Sequence, residues 1–321
     1  MPDIFYNHSG RVRSLWRLAA FGVAFLFAFN AAFLGTEFGA VLLLPRAAYE
    51  RLFVEGDVGF IVQSALIFAP AALIGWVCAR GFEDLPWRAL GWALHKGWLR
   101  DALSGVLVGG AGIVVAALVG AAFGGYRFTL SETPNAAAVA RTLLTSGLVF
   151  LLGAAAEEML FRGYAFQTLL RSWPVSAAIL PVSVPFALVH LWNPNVAPGF
   201  TFANTVLAGV WLCVAYWRTR SLWLPLGLHF GWNWVQGALL GSPVSGITGI
   251  TPHPLLNFKD TGPAFFGGGA YGIEGGAACA IAIVLATLFT WRTGLLKAEP
   301  EMKQYTDGEN PNQQALYVTP P

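Results

Sequence analysis

Apolar residues in this chain run together in blocks long enough to cross a bilayer, and the short segments between them hold most of the charge. A spanning helix needs about 20 mostly apolar residues. Eight blocks qualify, at about 18–35, 58–79, 102–123, 142–162, 175–192, 200–217, 222–240 and 275–291. The fourth is expected to continue as helix through Phe166 and Leu170. Cations test the count. With the N-terminus inside, 14 of the 19 Lys and Arg fall on the cytosolic side, and only Arg46, Arg51, Arg127, Arg141 and Lys259 fall opposite. The expectation is an all-α polytopic membrane helix bundle with about eight spans and both termini cytosolic.

Composition agrees. The chain of 321 residues is 56% hydrophobic and 11% charged, against about 25% charged in soluble proteins. A net charge of +2 is too small to suggest nucleic acid as a partner. Cys78, Cys213 and Cys279 lie in apolar blocks and read as buried thiols. The first block follows Arg11, Arg13 and Arg17 without a convincing cleavage site, so it reads as a retained helix. Residues 36–57 could form a re-entrant or interfacial piece. Residues 80–100 mix tryptophan with basic residues and suit a surface helix. Gly105 and Gly109, and Gly120 and Gly124, bracket the third span at a spacing that lets helices approach closely. The segment 241–274 is long for a membrane connection and is expected to cover one mouth of the bundle. The expected divisions are N-terminal spans at 1–141, a core at 142–240, a loop and last span at 241–297, and a disordered tail at 298–321.

Glu157 and Glu158 change the picture, because the preceding stretch Thr142 to Ala156 carries no charge. A carboxylate at membrane depth costs about 2.5–3.5 kcal/mol on insertion scales, so it must be paired, hydrated or used. Glu158 and Arg162 are spaced i,i+4 on one helical face, in the favourable acid-first order. Glu157 points about 140° away from that arginine. One acid is therefore expected to be structural and the other chemical. The helix carrying His190 follows a turn near Trp173 and Pro174. Glu157 lies 16 residues before Trp173 and His190 lies 17 after it, so an antiparallel hairpin brings them level. His229 and Asn233, spaced i,i+4, share one face of the seventh span. A carboxylate beside an imidazole can hold and deprotonate water. A second imidazole and a carboxamide can donate to a developing oxyanion.

The motifs Glu157-Glu158-Met-Leu-Phe-Arg162, Phe186-Ala-Leu-Val-His190 and His229-Phe-Gly-Trp-Asn233 occur in this order on three helices. Together they resemble the CPBP (Abi) intramembrane protease family, which includes the type II CAAX prenyl endopeptidases. The resemblance implies a helical fold around a polar catalytic chamber and hydrolysis of a peptide bond in a membrane-associated or prenylated-like substrate. It implies that Glu157 and His190 activate water, that His229 and Asn233 stabilise the tetrahedral intermediate, and that Glu158 and Arg162 support them. No cofactor is required by this reading. Zn²⁺ is the alternative, held by Glu157, His190 and His229 with water in the fourth position. The expected partners are a membrane peptide or protein substrate and the lipid bilayer, with a bacterial plasma membrane as the expected location. Two other readings stand beside it. One is a proton-coupled transporter, since intramembrane Glu and His also mark ion pathways. The other is a non-catalytic immunity or scaffold protein.

Overall fold

The computed structural model describes residues 4–7, 10–53, 56–131, 135–196 and 199–306. Its helices are α1 (Ser14–Leu43), α2 (Arg46–Phe53), α3 (Gly56–Glu83), α4 (Trp98–Ala122), α5 (Ala136–Glu158), α6 (Phe166–Leu170), α7 (Val175–Val189), α8 (Phe200–Thr219), α9 (Trp223–Trp234), α10 (Ala264–Gly267), α11 (Ala277–Arg292) and α12 (Pro300–Thr306). Strands β1 (Tyr126–Leu130) and β2 (Leu256–Asp260) pair antiparallel, with Phe128 opposite Phe258.

The long helices turn apolar side chains outward. Val23, Phe27, Leu107 and Leu144 are each at least 70% exposed. Water would not tolerate such a surface, and hydrocarbon does. Among the described residues, six helical stretches are long and apolar enough to cross a bilayer: α1, α3, α4, the run Ala136–Leu170, Val175–Trp192 and α8. The chain is an integral, multi-pass membrane protein. Of the eight expected spans, the last two are the short ones. The 16 residues of α11 rise about 24 Å, less than the roughly 30 Å of a hydrocarbon core. Helix α9 has 12 residues before a π-helical turn, Val235–Leu239.

The fourth expected span does continue to Leu170, through a π-helical turn at Met159–Ala165. Helix α1 extends to Leu43 and takes in Glu37, whose carboxylate accepts from Tyr49 Oη at 3.0 Å. Residues 80–100 differ from the expected surface helix. A short 3₁₀ turn, Trp87–Leu90, carries Ala89 and Leu90 at zero exposure, and Ala93 and His95 are buried as well. Ala89, Leu90 and Ala93 are drawn in against the bundle, while Trp87 and Leu94 stay exposed: Trp223 Nε1 donates to Ala93 O, and Leu222 N donates to Gly91 O. In the tail, Pro300–Thr306 is helical with Met302 and Thr306 buried, and residues 307–321 lie outside the described residues.

Glycine sets the closest helix crossing. A Cβ on Gly105 or Gly109 of α4 would sit 2.5 or 2.1 Å from the carbonyls of Leu224 or Leu228 in α9. The reverse also holds: a Cβ on Gly227 or Gly231 of α9 would sit 2.2 or 2.4 Å from Ala102 O or Val106 O in α4. Two rows of small residues thus bring backbone against backbone. The Gly120–Gly124 pair works otherwise. Gly120 makes room for the Tyr126 ring, and Gly124 lies past the helix end with φ +74°.

Contacts sort the connections onto two ends of the bundle. At one end Arg17 and Arg171 both meet Glu83, Arg88 pairs with Glu301, and Arg218 donates to the carbonyls of Thr293 and Leu296. At the other, β1 and β2 join the α4–α5 connection to the segment after α9.

Candidate active site

Three helices deliver the site. Helix α5 ends with Glu157 and Glu158 just before the π turn, His190 caps the C-terminus of α7, and α9 presents His229. His190 Nε2 lies 3.8 Å and His229 Nε2 3.7 Å from the same oxygen, Glu157 Oε2. The hairpin arithmetic that levelled Glu157 with His190 therefore holds in space. Asn233 sits one turn beyond His229 and lines the same cavity.

The two adjacent acids stand in different surroundings. The Glu158 side chain is fully buried, and that of Glu157 is one-third exposed. Glu158 Oε1 accepts from Arg162 Nη1 at 3.2 Å, as the spacing suggests, and Arg162 is itself fully buried. The same Oε1 also accepts from His229 Nδ1 at 2.9 Å. The spacing does not reveal this second bond, because it joins residues 71 apart. A buried, paired carboxylate thus orients one of the two imidazoles from behind, as outer partners of functional histidines commonly do.

His190 is oriented differently. Its Nδ1 donates to the carbonyl of Phe186 at 2.7 Å, one helical turn earlier, which leaves Nε2 turned towards Glu157. The Phe186 ring packs tilted, 4.5 Å between centroids, against the His190 ring and lies 4.4 Å under the Arg162 guanidinium. Arg162 Nη2 also reaches Gly209 O in α8 at 3.4 Å. Phe186 is thus a shared floor for two of the motifs, a role not evident from its place in FALVH.

The cavity beside Glu157 measures about 410 Å³. Its apolar wall includes Phe25 and Phe29 of α1, Phe60 and Ile67 of α3, and Val149 and Phe150 of α5. Val244, Ser245, Ile247 and Ile250 add a wall from the long connection after α9. That connection is pinned: Asn193 Nδ2 donates to Ser245 O, Asn195 Nδ2 to Gly246 O, and Ser245 Oγ to Glu274 Oε2. Ser245 holds φ +49°, a left-handed conformation uncommon outside glycine. Glu274 and Ser245 are site neighbours that a motif reading misses, since both lie in irregular chain far from the signature helices.

Among the described residues, no group of three or more His, Cys, Asp or Glu side chains has the arrangement of a metal site. Residues 137–235 match the family described as Rce1-like, type II CAAX prenyl endopeptidase. That segment holds all seven motif residues, and the match supports the resemblance to the CPBP intramembrane proteases. No curated protein and no solved structure matches the chain.

Proposed function

We propose that the chain is an intramembrane endopeptidase of CPBP type, in which Glu157 is the general base. The observation that carries this reading is the meeting of two imidazole nitrogens on one Glu157 oxygen, 3.8 and 3.7 Å away, at the wall of a 410 Å³ cavity. Those separations are too long for direct hydrogen bonds. They are short enough for one water to reach Glu157 and an imidazole at about 2.8 Å each.

In this mechanism the water donates one proton towards Glu157 Oε2 and another towards His190 Nε2. Its oxygen attacks the scissile carbonyl as Glu157 takes the first proton. The carbonyl oxygen becomes an oxyanion. His229, in its imidazolium form, donates to it from Nε2, and the Asn233 carboxamide donates beside it. The protonated Glu157 then gives its proton to the leaving amine. Glu158 and Arg162 do not touch the reacting atoms; they hold His229 in register. The apolar wall of the cavity suits a lipid-embedded or prenyl-like substrate segment.

The test is cleavage of a farnesylated CAAX peptide and of a single-span membrane peptide by the protein in lipid nanodiscs. Glu157→Gln and His190→Ala should each lower cleavage by about 10²–10⁴-fold. Asn233→Ala should lower it by about 10²–10³-fold. Full cleavage by Glu157→Gln would remove the general base from this site. A chelator arm separates the two chemistries: a rate unchanged by 1,10-phenanthroline favours the glutamate mechanism. A rate lost to the chelator and restored by Zn²⁺ replaces it with a metal held by Glu157, His190 and His229.

A further inference from the structure

A second cavity, of about 50 Å³, lies against the same histidines. His190, His229, Asn233 and Ser245 line both cavities and so form the partition between them. The larger cavity is completed by α1, α3 and α5, and the smaller one by α8, α11 and Glu274.

The smaller cavity is polar where it counts. Asn204 of α8 lines it and is only 2% exposed. Its Nδ2 donates to the carbonyls of Glu274 and Gly276, each at 2.8 Å. Carbonyls only accept, so these two bonds fix which end of the amide is nitrogen. The other end, Oδ1, is buried without a hydrogen-bond partner among the described residues. The Glu274 carboxylate takes Trp232 Nε1 on one oxygen, and the backbone N–H and Oγ of Ser245 on the other. All three donors are neutral, and the oxygen that takes only Trp232 can accept a further bond. A water needs about 10–15 Å³ of such space and two to four polar partners. The cavity offers both.

The larger cavity cannot easily supply water during turnover. Phe25, Phe29 and Phe60 make it an apolar chamber, and a hydrophobic substrate segment would displace water from it. Each hydrolysis consumes one water all the same.

We propose that the 50 Å³ cavity is a hydration site, held by Asn204 Oδ1 and Glu274, that passes water to Glu157 through the His190–His229–Asn233 partition while substrate fills the larger chamber. Its role in turnover rests on the peptidase reading; the presence of water in it does not.

The experiment is hydroxyl-radical footprinting in ¹⁸O-water by X-ray radiolysis, read by mass spectrometry, combined with steady-state cleavage of the farnesylated peptide. Two variants fill the cavity from different helices: Ala208→Leu on α8 and Cys279→Met on α11. In the wild-type protein the buried Trp232 should be labelled. Either filler should cut that labelling at least fivefold and lower kcat at least tenfold, with KM changed less than twofold. An unlabelled Trp232 in the wild type overturns the hydration site whether or not the protein cleaves anything. Labelling lost in both fillers with kcat unchanged overturns the supply role, as does a rise of KM that accounts for the whole loss. A wild type that is labelled but cleaves no peptide leaves the hydration site standing and removes the peptidase reading.

Discussion

At the scale of single residues, two neighbouring glutamates are given opposite fates by one step of helical rotation. Glu158 is enclosed with Arg162 and His229, and Glu157 faces a cavity. Removing one partner of a buried pair leaves the other charge uncompensated, at a cost of about 3–5 kcal/mol. Glu158→Gln should therefore lower the thermal unfolding midpoint in detergent and lower cleavage together. Glu157→Gln should abolish cleavage while moving the midpoint little. Like behaviour of both variants in a melting assay would contradict the division. Phe186→Leu takes away the ring under Arg162 and beside His190. A buried cation–π contact is worth about 2 kcal/mol, so a loss of that order is expected in a denaturation series. The Glu158–Arg162 pair was legible from sequence because it is local. The Glu158–His229 bond and the Phe186 floor were not, because they depend on how three helices rotate about their own axes.

At the scale of elements, the α4–α9 crossing governs where His229 and Asn233 stand. Gly109→Ala would place a methyl 2.1 Å from Leu228 O, against rigid backbone. The helices must separate, at a cost of about 1–3 kcal/mol for overpacking. Cleavage should fall with it, while Gly22→Ala, which meets nothing within 4 Å, should behave as wild type in the same assays. The spacing of Gly105 and Gly109 announced a close approach in the sequence, but not its partner. The matching glycines of α9, at 227 and 231, flank His229 and were masked by the motif itself. The stretch 80–100 shows the opposite limit. Its tryptophans and cations suit a surface, yet burial of Leu90 and Ala93 against neighbouring segments decides where it lies. Composition reports polarity, not the neighbours a segment meets.

At the scale of the whole molecule, block hydropathy made the helical membrane bundle legible, and the cation bias anticipated the sorting of connections onto two ends. Reporter fusions test which end is cytosolic. Alkaline phosphatase joined after Leu130 or Pro252 should be active, and joined after Asp84, Ser172 or Arg220 it should be silent. The reverse pattern would invert the assignment. Helix α12 is held to the Trp87–Arg100 region by the exposed pair Arg88–Glu301, and it buries Met302 and Thr306. The exposed pair contributes about 0–1 kcal/mol, and burial of a Met side chain about 1.5–3 kcal/mol. Truncation after Ala298 should therefore leave cleavage intact but lower the melting midpoint measurably; a large loss of activity would assign the tail a part in the site. The strand pair and the pinned connection after α9 were the least legible features: the strands lie more than a hundred residues apart, and the bonds of the connection span 29 to 52 residues of irregular chain.

The glycine seam between α4 and α9 also tells an engineer where not to cut. Backbones in direct register leave that interface no tolerance for new side chains, so the half of the chamber it anchors behaves as a fixed jaw. The opposing half, built from Phe29, Phe60 and Ile67, is made of ordinary side chains that can be traded for larger or smaller ones. If the proposed peptidase activity holds, attempts to retune which peptides are accepted belong on that adjustable face.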